Sequence, residues 1–138
     1  MNPVLRNGLA LLGGMMIGGA LNMYLVEWGM KLIPPPAGTD PSTPEGLTKA
    51  LPLMELKHFF FPFLAHALGT LVAAYFTIRF SASKKQYLAW AVGFLFMLGG
   101  LAMVMMIPFP IWSIFVDLLL CYLPMAWLGW KIAGGIKR

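Results

Sequence analysis

Apolar residues fall into four long blocks, approximately residues 8–32, 55–79, 87–107 and 111–131, parted by stretches where proline, serine or charge gathers. A helix rising about 1.5 Å per residue needs about 20 apolar residues to cross the hydrocarbon of a bilayer. Each block supplies that length. The pattern therefore predicts an all-α integral membrane protein, a four-transmembrane-helix bundle built from two antiparallel helical hairpins and forming one transmembrane domain over residues 1–138.

The links differ in character. Residues 33–54 open with Pro34-Pro35-Pro36, which cannot be helical because proline lacks a donor and restricts its predecessor. Ser42-Thr43-Pro44-Glu45 then has capping-box spacing and predicts a short interfacial helix to about Ala50. A link this long is expected to fold over the end of the bundle as a lid. Ser81 to Gln86 form a short basic turn, and Pro108-Phe109-Pro110 forces a tight one.

Within the blocks, small and polar residues mark faces. Ala10, Gly14 and Gly18 recur every four residues, a surface that lets another backbone come close in lipid. It is expected to meet the second helix, or a second copy or another membrane subunit. In the second block His58, Pro62, Ala65, His66, Gly69, Thr70 and Ala73 share an arc of about 140°. Pro62 is expected to free the carbonyl of His58 and bend the helix between the two histidines. The third block has no ionisable residue in its interior and offers Gly93, Gly99 and Gly100 as packing points. In the fourth, read as one continuous helix, Ser113, Asp117, Cys121 and Pro124 share a face, with Asp117 about 10 Å below the turn.

Composition changes this picture little: 59% hydrophobic, 11% charged residues and a mean hydropathy of +0.77 exclude an ordinary soluble domain. Charge adds orientation. Arg6, Arg79, Lys84, Lys85, Lys131, Lys137 and Arg138 fall on one side with no acid among them, so the positive-inside rule puts both termini in the cytoplasm, as in a bacterial inner membrane. Headgroup anchoring accounts for the net charge of +5 without nucleic acid. The start, MNPVLRN, resembles a signal peptide, but the apolar run behind it is too long, so a retained helix is expected. A single cysteine, Cys121, excludes an internal disulfide, a CxxC pair and a cysteine metal site.

Sorted by depth, the polar residues give a middle layer of Asn22, His66 and Thr70 and an outer layer of Glu27, Glu55, His58 and Asp117. Ionisable groups inside a span are costly in lipid and so are candidates for function. The expected function is an outward-facing polar intramembrane site that binds or translocates a proton, an ion or a small ligand, centred on His66 and Asp117. The first alternative is an accessory subunit of a larger complex, in which His66 with Asn22 or Asp117 is a satisfied interhelical pair and Glu27 pairs with Lys31. The second is a metal-dependent membrane enzyme. His58, His66, Glu55 and Asp117 are nitrogen and oxygen donors, and Glu55-x-x-His58 has the spacing of carboxylate-bridged bundles, yet only one copy is present. A haem on one axial histidine is compatible with the sequence, but no cofactor is strongly implied. No Walker loop, dinucleotide glycine motif or nucleophile elbow supports nucleotide or acyl chemistry.

Overall fold

The computed structural model describes residues 1–135 and is helical throughout, with no strand among them; Lys137 and Arg138 of the basic set lie outside the described residues. Six α-helices follow one another: α1 Pro3–Leu32, α2 Pro44–Ala50, α3 Phe60–Phe80, α4 Lys85–Met106, α5 Ile111–Leu120 and α6 Leu123–Trp130. Four stretches are long and apolar enough to cross a membrane, namely Pro3–Leu32, Leu56–Phe80, Lys85–Met106 and Ile111–Gly134. The chain is thus built as an integral membrane protein whose outer faces meet lipid.

The first helix begins five residues before the apolar block does. Asn2 caps it, its side-chain oxygen accepting the Val4 N–H at 2.8 Å, and Pro3 takes the first helical position, where a missing N–H costs nothing. Hydropathy marks the part of a helix that sits in lipid, whereas capping marks where the helix starts.

α1 packs along α3 through the glycine face. A Cβ at Gly14 would strike Thr77 and the Ala73 carbonyl, one at Gly18 the Gly69 carbonyl, and one at Gly29 the Phe61 ring. Because Gly14 meets Thr77 while Gly29 meets Phe61, the two helices run in opposite directions. This corrects one expectation: the Gly14/Gly18 face is occupied by α3 of the same chain and is not free for another copy or subunit. Gly13 and Gly19 point elsewhere, with no atom near their missing side chains.

Two prolines behave differently from expectation. Pro62 is the third residue of α3, in the first turn, where no intrahelical donor is lost. A separate 3₁₀ turn, Leu56–Phe59, carries His58, so there is no proline bend inside a helix between His58 and His66. The break lies instead in the fourth span. Pro124 cannot donate to residue 120 and its ring crowds that carbonyl. The helix stops at Leu120, Tyr122 takes a non-helical conformation (φ −114°, ψ −81°), and α6 restarts at Leu123.

At one end, the loop lies on the bundle. Leu51, Phe59 and Ile107 form a small buried core with Leu47, Met54, Phe63 and Phe109 packed against it. The loop's first part turns through Pro36–Thr39, where the Thr39 N–H reaches the Pro36 carbonyl at 3.1 Å and Gly38 supplies the positive φ of 79° that the turn needs. α2 is capped by Thr43, whose hydroxyl accepts the Gly46 N–H at 3.1 Å, one residue later than the Ser42 cap expected.

The other end is basic and closed by polar contacts. Arg6 Nε donates to the Phe80 carbonyl at 2.8 Å, and the Asn7 side-chain oxygen accepts the Ala82 N–H at 2.9 Å. These bonds hold the start of α1 against the end of α3, satisfying groups that the helix terminus leaves open.

Candidate functional site

The break in the fourth span brings three side chains together. Asp117 lies near the end of α5, Tyr122 sits in the break itself, and His66 faces both from α3. His66 Nδ1 is 2.7 Å from Asp117 Oδ1. The Tyr122 hydroxyl donates to Asp117 Oδ2 at 2.6 Å and stands 3.2 Å from His66 Nδ1. The Tyr122 and His66 rings stack with centroids 5.8 Å apart.

Both oxygens of Asp117 are therefore engaged, each by a different donor. With the carboxylate as acceptor, His66 carries its proton on Nδ1 and presents Nε2 as an open lone pair. Nε2 has no hydrogen-bond partner among the described residues. Tyr122 is 1% exposed, and the side chains of Asp117 and His66 are 14% and 32% exposed. The acid and the phenol are thus enclosed, while the imidazole keeps an accessible edge.

The surroundings show where that edge points. Along α3, Phe63 and Gly69 lie about 60° to either side of His66. The Phe63 carbonyl faces Cys121, whose thiol donates at 3.6 Å, and Gly69 faces Gly18 and Asn22 of α1. α1 and α5 make at most a marginal contact. His66 lies on α3 between the strip that meets α1 and the strip that meets the end of α5. Toward the loop end the way is covered by Phe59, Phe63 and Trp112, with Trp112 ring centroids 4.9 and 6.0 Å from the other two. Toward the basic end, Ala73, Ala74, Val92 and Ala126 are fully buried and close the bundle.

α4 contributes space. A Cβ at Gly100 would run into the Tyr122 hydroxyl, so the phenol reaches Asp117 only because residue 100 has no side chain. Gly93 plays the same part for Leu123 and Ala126, whereas Gly99 stands open.

The other residues singled out by sequence lie apart from this trio. Thr70 donates to the His66 carbonyl at 2.7 Å, a bond within its own helix that leaves the imidazole untouched. Asn22 lies opposite Gly69 in the α1–α3 seam, and its side-chain oxygen is buried with no partner, so the interhelical bond expected of it is not made. Glu27 is exposed and forms no ion pair with Lys31 among the described residues. Glu55 pairs with Lys57 at 3.1 Å on an exposed surface, which contributes little.

His58 is engaged on both sides by backbone. Its Nδ1 accepts the Glu55 N–H at 2.9 Å, and Nε2 faces the Pro34 carbonyl at 3.2 Å, so the ring ties the loop to the start of the second span. With Glu55 and Lys57 it borders a cleft of about 410 Å³ under the prolines. Among the described residues no three His, Cys, Asp or Glu side chains converge on a point where a metal ion could sit, so His58, His66, Glu55 and Asp117 do not form one donor set.

Tyr122 is the residue of this cluster that sequence reading missed, and Gly100, expected only as a packing point, makes room for it. The signal was present: a tyrosine two residues before a mid-span proline has a hydroxyl that must find a partner in lipid. No family model, curated protein or solved structure matches the chain.

Proposed function

We propose that the protein binds a proton, a cation or a small polar ligand inside the membrane at His66, with Asp117 and Tyr122 as the groups that orient and balance it. The observation that carries this reading is the 2.7 Å contact between His66 Nδ1 and Asp117 Oδ1, with Nε2 left free. An ionised Asp117 beside a neutral imidazole is a net negative site, which is costly among apolar helices. A proton or other cationic donor arriving at Nε2 brings the pair to neutrality. Tyr122 holds the carboxylate still while this happens.

The reading comes with a topology. In this reading the spans form two antiparallel hairpins with Arg6, Arg79, Lys84, Lys85 and Lys131 at one end, which by the positive-inside rule is the cytoplasmic end in a bacterial inner membrane. The loop with α2 then rests on the opposite surface. Because the aromatic layer of Phe59, Phe63 and Trp112 covers the site from the loop end, a ligand does not enter straight down from outside.

One observation favours a second reading, in which the chain is an accessory or structural subunit. Both Asp117 oxygens and the Tyr122 hydroxyl are paired, as in a staple that pins the broken fourth span to α3.

Reconstituted vesicles separate the two. Under an imposed potential, wild-type protein should admit protons, and His66→Leu and Asp117→Asn should each abolish the flux while melting within a few degrees of wild type. Wild-type vesicles as tight as empty ones, together with variants that melt far lower, would leave the staple alone standing.

A further inference from the structure

A second feature lies at the basic end, remote from His66. Between α1 and α3 runs a groove of about 290 Å³ lined by Arg6, Leu9, Gly13, Ile17, Phe76 and Phe80 among others. Arg6 is the one charged side chain on it; the other lining side chains are apolar, and Met1, at the Arg6 end, adds the charge of the chain's α-amino group. From Arg6 to Ile17 the groove follows α1 for about 16 Å, and one leaflet of a bilayer's hydrocarbon is about 15 Å thick.

Arg6 uses only Nε internally, for the Phe80 carbonyl at 2.8 Å. Its two terminal nitrogens have no partner among the described residues, and a guanidinium in this state matches a phosphate oxygen pair. Arg79 and Lys84, exposed at the same end of the bundle, add to the positive field. Gly13 leaves the groove unfilled: no atom lies within 4 Å of where its Cβ would be.

We infer that this groove is a site for one anionic phospholipid, its phosphate on Arg6 and one acyl chain laid along Leu9, Gly13, Ile17 and Phe76. The apolar trough, one leaflet long with a cation at its headgroup end, fits an amphiphile with a negative head better than it fits a soluble anion or a neutral lipid. Bound there, the lipid would brace the α1–α3 pair, whose own contact at this end rests on Arg6 and Asn7.

Native mass spectrometry of protein released from bilayers holding equal phosphatidylglycerol and phosphatidylcholine of identical chains tests this. Wild type should retain one phosphatidylglycerol over phosphatidylcholine by about fivefold, the factor expected for one basic residue at an anionic surface. Arg6→Lys should keep the preference and Arg6→Gln should lose it. Gly13→Leu, whose side chain enters open space and fills the trough, should lower retention of both lipids, and it decides the matter alone if Arg6→Gln does not fold. Equal retention of the two lipids by wild type would overturn the proposal, as would Gly13→Leu retaining phosphatidylglycerol like wild type. Displacement of the lipid by millimolar inorganic phosphate would reduce the site to a surface anion contact and also overturn it.

Discussion

Tyr122 donates its hydroxyl to Asp117 Oδ2 at 2.6 Å across the break between α5 and α6. In an unbroken helix, residues five apart lie about 140° from each other around the axis and could not meet in this way. The break that Pro124 enforces is therefore what assembles the site.

Removing that hydroxyl tests the consequence. Tyr122→Phe keeps the ring in the space left by Gly100 but strips Asp117 Oδ2 of its donor. A hydrogen bond between membrane helices is worth roughly 0.6–2 kcal/mol, so the variant should lose stability in that range by denaturant titration in micelles. Gly100→Ala should do similar harm from the other side, by forcing the phenol out of place.

The glycine seam gives a contrast within one helix. Gly18→Leu drives a side chain into the Gly69 carbonyl and Ala73 and should cost about 1–3 kcal/mol or more, or prevent folding. Gly19→Leu, one residue on, enters open space and should melt like wild type apart from the helix propensity it gains. Equal effects at the two positions would mean that α1 does not present this face to α3.

Asn22 has a buried oxygen with no partner, and such a group costs its desolvation without return. Asn22→Leu should leave stability unchanged or raise it. A clear loss would show that the amide has a partner when the protein is in its membrane.

In the loop, Asp40 Oδ1 accepts the Ser42 N–H at 3.0 Å, and hydrogen bonds from Ser42 hold its carboxyl below the ordinary 3.8. A depressed folded-state value means that the turn's contribution is present above about pH 4 and is lost as pH falls through the lower, folded value. Carbon-detected titration of Asp40 should show that lower midpoint, and Ser42→Pro, which removes the N–H, should raise it.

The four spans were legible because lipid imposes one rule on every residue in them, and long apolar runs record it. His66 and Asp117 stand out in the sequence for the converse reason, since ionisable groups in such a run are conspicuous, and the structure brings the two into contact. What eluded sequence reading was three-dimensional. Pro62 falls harmlessly in a first turn whereas Pro124 breaks a span, and only the start of the helix, set by the 3₁₀ turn before it, separates the two cases. Which apolar block Gly14 and Gly18 would meet also depended on packing that no local pattern encodes. His58 is expected in the outer polar layer on the same arc of an ideal helix as His66, but that helix starts only after Phe59, and a 3₁₀ turn gives His58 to the loop's backbone.

The two histidines offer the most direct test. His58 accepts on Nδ1 from Glu55 and so carries its proton on Nε2, toward Pro34, whereas His66 carries its proton on Nδ1, toward Asp117, and leaves Nε2 bare. Nitrogen-15 spectra of histidine-labelled protein in lipid nanodiscs, with His58→Gln to assign the signals, distinguish these forms. The structure predicts opposite tautomers, with His66 losing its fixed form in Asp117→Asn. Finding His66 protonated on Nε2, or unmoved by loss of the carboxylate, would contradict a ligand-accepting His66 held by Asp117.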